Sequence, residues 1–126
     1  MYADDAASQS LGITITDVAA GTAIASMTVR DDMVNGHGIC HGGYVFTLAD
    51  TAFAFACNTY DDVTVAAGAD ISFLEPVHRG DELAATAVEL SRRGRSGLYD
   101  VTVRTAAGTV VAEFRGRSRS LGRPLL

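Results

Sequence analysis

A chain of 126 residues with 48% apolar and 20% charged side chains can bury one core, which excludes wholesale disorder and leaves no room for a separate regulatory module. Its formal charge of −5 argues against general nucleic-acid affinity, and no run of about 18 apolar residues is free of charge, so no membrane span is expected. The first residues, Met1-Tyr2-Ala3-Asp4-Asp5, are acidic where a signal peptide would be basic; the expectation is one domain over 1–126, in the cytoplasm.

In chain order, Ala3 to Ser10 reads as a short helix or a frayed lead-in. Ile13 to Val18 alternates, Ala19-Ala20-Gly21 turns, and Thr22 to Val29 returns as a strand rich in β-branched residues, which makes a hairpin. Arg30 to Gly38 is a loop leading to a helix over Tyr44 to Cys57. Tyr60-Asp61-Asp62 stops that helix, and Val63 to Leu74 is a long strand with Gly68 as a candidate bulge and Pro76 beyond its end. Glu82 to Ser91, Leu98 to Thr105 and Thr109 to Ser120 are three further strands, joined by the Arg92 to Gly97 loop and by Ala106-Ala107-Gly108. Two strands, a helix and four strands predict an α+β fold, a curled antiparallel sheet of about six strands around one long buried helix.

The stretch from Asn35 to Asn58 organises the rest. Tyr44 to Cys57 holds no Gly or Pro and is apolar on every face, the pattern of a buried helix, yet Asp50 stands in its middle. A buried carboxylate is costly unless paired, hydrogen-bonded or protonated, so Asp50 is either a packing residue bonded to Thr47, Thr51 or an arginine, or a chemical group. His41-Gly42-Gly43 precede the helix, where free N–H groups and the positive end of the dipole can polarise a thioester or ester carbonyl. Gly42 and Asp50 lie eight residues apart, about 12 Å along the axis, so one chain does not easily bring both to one carbonyl. A two-fold dimer, with Gly42 of one subunit facing Asp50 of the other, solves this economically.

Asn35, His41-Gly42-Gly43, Phe46, Leu48-Ala49-Asp50 and Ala56-Cys57-Asn58 together resemble the hotdog-fold acyl-CoA thioesterases, most closely the PaaI type that acts on phenylacetyl-CoA and its hydroxylated relatives. The resemblance continues through Asp70 to Pro76, Gly80-Asp81, Tyr99-Asp100 and Phe114-Arg115-Gly116. It implies that Asp50 activates water or attacks the thioester, that the Gly42 N–H binds the carbonyl, and that Asn35 positions water or substrate. It further implies a homotetramer built as a dimer of dimers and no cofactor beyond the coenzyme A of the substrate.

Other readings stay open beside this one. Asn35 alone would be a turn cap. His41 is a loop brace or a donor near the carbonyl; Gly43 allows close approach of substrate, and Thr51 supports the carboxylate from behind. Phe46, Phe53 and Tyr44 line an acyl pocket or are plain core. Cys40 at the helix start invites a thiolate nucleophile, but no third orienting group accompanies it. His37, His41 and Asp50 do not form a metal-ligand spacing, so no metal is expected. All ten basic residues are arginine; eight fall in 92–126 against two acidic residues, a local net of +6, whereas 1–91 carry two arginines against 13 acidic residues, a net of −11. Glu113, Arg115, Arg117 and Arg119 alternate along one face of the last strand, either as a solvated face or, with Arg92, Arg93 or Arg95, as ligands of coenzyme A phosphates. The alternatives for function are an acyl-CoA-binding sensor module, a thioesterase for benzoyl or medium-chain thioesters, and a hotdog dehydratase.

Overall fold

Alternation decides the sheet. In the computed structural model, which describes residues 1–125, a short 3-10 turn at Tyr2–Asp4 and helix α1 (Ala6–Ser10) lead into β1 (Thr14–Ala19) and β2 (Thr22–Thr28). Helix α2 (Gly42–Cys57) follows, then β3 (Thr64–Phe73), β4 (Glu82–Arg93), β5 (Ser96–Thr105) and β6 (Val110–Ser120). All six strands form one antiparallel sheet in the order β1-β2-β4-β5-β6-β3. The first strand after the helix, β3, therefore pairs with the last strand in sequence, leaving β1 and β3 as edges.

One face of the sheet is apolar because every second residue is. Ala23, Ala25 and Met27 of β2, Leu83, Ala85 and Ala87 of β4, Tyr99, Val101 and Val103 of β5, and Ala112 and Phe114 of β6 are buried there. Helix α2 packs on that face against β2, β4 and β5 above all. The alanines let the helix approach the backbone closely, and Gly116 does the same on β6, where a Cβ would stand 2.8 Å from the Phe53 ring. Phe53 packs on Tyr99 and Phe114 with ring centroids 5.5 and 5.8 Å apart, which makes it core and not pocket lining.

Asn58 ends the helix. Its Nδ2 donates to the carbonyls of Ala54 (2.8 Å) and Thr64 (2.9 Å), and its Oδ1 accepts from Thr64 N–H (2.9 Å), so one side chain caps α2 and anchors the start of β3. Thr59 adds a bond from Gly21 N–H (2.8 Å) to its hydroxyl, which ties the β1–β2 turn to the same corner.

Three expectations need correction. The β4–β5 connection is not a six-residue loop: both strands run on to Arg93 and Ser96, and Gly94, at φ 57°, takes the first place of a two-residue turn. The irregularity in β3 falls between Ala66 and Gly68, so the unpaired residue is Ala67 and not the glycine itself. Helix α2 begins at Gly42, two residues before Tyr44, and is not covered all round. Gly43 is exposed, and Phe46, Thr47, Asp50 and Ala54 are only partly buried, forming a stripe at helical spacing on the side away from the sheet.

Candidate active site

The loop before α2 is tied down by backbone bonds. Cys40 N–H donates to the Val77 carbonyl (2.7 Å) and His41 N–H to the Met33 carbonyl (2.9 Å), which directs the chain into the helix. His41 is the N-cap residue but makes no side-chain cap, and its imidazole is exposed. The first helical bond comes from Tyr44 N–H to the His41 carbonyl (3.1 Å). Among the described residues the N–H groups of Gly42 and Gly43 have no acceptor, so the helix start keeps two donors and its dipole end for a ligand.

Asn35 braces this loop. Its Oδ1 accepts from His37 N–H (2.9 Å) and Ile39 N–H (3.1 Å), and its own backbone N–H meets the Ile39 carbonyl (2.8 Å). The turn-capping reading of Asn35 is thus realised in full by Oδ1. Its Nδ2 takes part in none of these bonds.

A cleft of about 390 Å³ opens beside Gly42. Val45, Phe73, Pro76, Val77 and Val111 make it largely apolar. Phe73 stands directly over the glycine, since a Cβ on Gly42 would lie 2.7 Å from the end of its ring. Phe73, Pro76 and Val77 are lining residues that the sequence does not single out. The one hint is that apolar side chains continue to the end of a strand beside a proline. Phe46, read as pocket lining or core, is partly buried and meets Phe114 edge-on with ring centroids 5.2 Å apart, at the border between stripe and core.

Asp50 lies two turns down α2 on the open stripe. Among the described residues its carboxylate takes part in no hydrogen bond and no ion pair. Burial, and then the negative charge of Asp5, hold its carboxyl above the usual range. Neither threonine serves it: Thr47 Oγ1 bonds to the Gly43 carbonyl and Thr51 Oγ1 to the Thr47 carbonyl, both at 2.8 Å. Thr51 also touches the Ser8 hydroxyl at 3.1 Å, on its buried side. The structural reason offered for a carboxylate here, a bond to Thr47, Thr51 or an arginine, is therefore not met within one chain.

The cysteines are inert by environment. Burial pushes the Cys40 thiol up, the opposite of what a nucleophile at a helix start requires, and Cys57 is pushed up to about 12. Among the described residues no group of three His, Cys, Asp or Glu is gathered closely enough to hold a metal ion.

The arginines fall into two places. Arg115 projects from the outer face of β6, opposite α2, where Asp100 binds it through Nε (2.7 Å) and a second nitrogen (3.0 Å); Arg117 reaches Asp70 at 3.3 Å. Arg92 lies 3.8 Å above the Tyr60 ring near the C-terminal end of α2, and Arg95 turns beside Gly122. Arg92 and Arg95 have no acidic partner among the described residues.

Residues 37–112 match the model of the thioesterase superfamily. The chain is 44% identical over 122 residues to the acyl-coenzyme A thioesterase PaaI of Escherichia coli (strain K12), covering 97% of this chain and 87% of that protein. Its fold is similar to the structure of the E. coli PaaI protein from the phenylacetic acid degradation operon, with a TM-score of 0.96 at 44% identity over 98% of this chain and 90% of the other. It is also similar to a mutant of the phenylacetic acid degradation protein PaaI from Thermus thermophilus, with a TM-score of 0.86 at 35% identity over 90% and 97%. With its helix on a six-stranded antiparallel sheet and its sequence aligned along nearly its whole length, the chain belongs to the thioesterase superfamily, among the PaaI-type hotdog thioesterases.

Proposed function

We propose that this chain hydrolyses aryl- or arylacetyl-CoA thioesters, of the phenylacetyl-CoA or hydroxyphenylacetyl-CoA type, to the free acid and coenzyme A. One observation carries the assignment of roles: a partly buried, unpartnered Asp50 lies on the same rigid helix as a start whose first two N–H groups have no acceptor. The thioester carbonyl accepts from the Gly42 N–H, and the helix end stabilises the oxyanion of the tetrahedral intermediate. Asp50 is the general base toward water or the nucleophile itself, and its raised pKa strengthens it as a base near neutrality. Asn35 Nδ2 and His41 border the reacting centre, Gly43 leaves room for it, and the aryl group enters the apolar cleft beside Phe73. The chemistry needs no cofactor beyond the coenzyme A that the substrate carries.

The eight-residue spacing makes the site a shared one. Gly42 and Asp50 on one helix remain about 12 Å apart, so the reading requires a homodimer in which each subunit supplies one of them. The β3 edge supports such pairing: it pairs with β6 on one side only, and Val65 and Phe73 on it and Leu74 just beyond it are exposed. A homotetramer and a cytoplasmic location complete the proposal; among the described residues no helix is long and apolar enough to cross a membrane. Arg92, Arg93, Arg95 and Arg119 have no acidic partner among the described residues and are free to meet coenzyme A phosphates, whereas Arg115 would first have to leave Asp100.

The test is thiol release from phenylacetyl-CoA, 4-hydroxybenzoyl-CoA and a straight-chain acyl-CoA by wild type and Asp50→Asn. Activity on the aryl substrates that falls about 10²-fold or more in a folded dimeric variant is the expected result. Binding of these thioesters without any hydrolysis by wild type would replace the enzyme reading with that of an acyl-CoA sensor.

A further inference from the structure

The N-terminal segment packs on α2 at the level of Asp50. Ser8 is 1% exposed, and its Oγ donates to Asp5 Oδ2 (2.7 Å) while touching Thr51 Oγ1 (3.1 Å), the hydroxyl of the residue next to Asp50. Asp5 is itself fixed, because its Oδ1 accepts from Ser8 N–H (3.1 Å) as the N-cap of α1. Tyr2 holds the segment at both ends, by its hydroxyl on the Ile13 carbonyl (2.6 Å) and by its ring on Phe55, 6.5 Å away and one turn beyond Thr51. A short helix of five residues has no reason of its own to persist in water, so these contacts hold it against α2.

Ser8 bonds twice to Asp5, through its N–H and its hydroxyl, and the same hydroxyl meets the helix that carries the base. A fixed carboxylate is thereby kept one hydroxyl away from Thr51, the sequence neighbour of a carboxylate that has no partner among the described residues. On α2 itself, Cys57 stays a neutral thiol near pH 7, because burial pushes it up to about 12. No arginine compensates the two negative charges through an ion pair among the described residues.

The geometry points to Asp5 as a positioning residue for Asp50: clamped through Ser8 onto Thr51, it holds a carboxylate near the proposed base and shifts the pH at which that base forms. The inference rests on the proposed role of Asp50. A like charge nearby disfavours ionisation of Asp50, consistent with the direction given above, so removing it lets the base form at lower pH.

The experiment is the pH profile of kcat/KM for phenylacetyl-CoA with wild type, Asp5→Asn, Asp5→Ser and Asp50→Asn, each checked for folding and dimer formation. Asn and Ser both retain an N-cap oxygen, so α1 keeps its cap while the charge is lost. The acid limb of both Asp5 variants is expected to move down by about half a pH unit, with the plateau rate little changed. The wild-type limb should also move down as KCl is raised toward about 1 M, where screening weakens the like-charge effect, and this salt shift should shrink in both Asp5 variants. An inactive Asp50→Asn with an unmoved limb in the Asp5 variants and across salt would overturn this role and leave Asp50 as the base. An Asp50→Asn variant that keeps the wild-type profile would overturn both together.

Discussion

Phe73 closes over Gly42 so tightly that a single methyl on the glycine would meet the ring tip at 2.7 Å. The ring belongs to an exposed side chain at the end of β3 and can swing aside, so the clash is costly to the site more than to the fold. Gly42→Ala should fold with little change in melting temperature while kcat/KM falls at least about 10-fold, because carbonyl and ring now compete for one space. Phe73→Ala in the same chain should return part of that loss. Purely additive losses in the double variant would show that the two residues do not share the space, and a kinetic double-mutant cycle measures this directly.

Asp50 is predicted to lower stability in exchange for reactivity. Its folded-state pKa is raised, so the cost is absent below the unfolded carboxylate range and is present in full once pH exceeds the folded value. Asp50→Asn should therefore melt above wild type near neutral pH, and the gap should shrink as pH falls toward about 4, the ordinary carboxylate range. A variant less stable than wild type at both values would mean that the carboxylate has a stabilising partner in the assembled protein.

Asn58 joins the end of α2 to the start of β3 through three hydrogen bonds. Truncation to Ala should cost about 2 kcal/mol, with an unchanged urea m-value. Asn58→Asp keeps the acceptor but removes both donations, and should fall between wild type and Ala if the bonds act separately.

The outer-face arginines and the hairpin arginines should behave differently. Arg92→Ala and Arg95→Ala are expected to raise KM for coenzyme A thioesters, with an effect that fades at high salt. Arg115→Ala should leave KM unchanged, because its guanidinium already serves Asp100 on the face opposite α2. Steady-state kinetics at two ionic strengths separates the cases.

The candidate site could be proposed from sequence because Asn35, Gly42 and Asp50 lie within one stretch of 24 residues, where helix geometry alone fixes the spacing of the last two. Phe73 could not, since its place beside Gly42 follows from β3 pairing with β6 at the far edge of the sheet, a long-range choice that local pattern does not encode. Phe53 and Phe46 looked equivalent on an all-apolar helix; only the side taken by the sheet sends the first to Tyr99 and leaves the second at the border. Asp5 and Ser8 were hidden for the same reason. Five residues of weak helix carry no sign of what they will lean on. The alternating strands and their turns were readable throughout, and the β4–β5 hairpin differed only because Gly94 permits a tighter reversal than its flanking arginines suggest.

The alanines beneath α2 carry a consequence for how such a site can change. Ala23, Ala25, Ala85 and Ala87 are at most 1% exposed, and together they form a layer one methyl thick between the helix and the strands. Gly42 and Asp50 ride on that layer as points on a rigid rod, so their separation is preserved whatever happens below them. Their height above the sheet is not. A larger side chain at any of the four would lift or tilt the rod, moving Gly42 and Asp50 as one body relative to Phe73. Residues outside the proposed site thus act as its spacer, and the width of the apolar cleft beside Gly42 can be tuned from the opposite side of the helix.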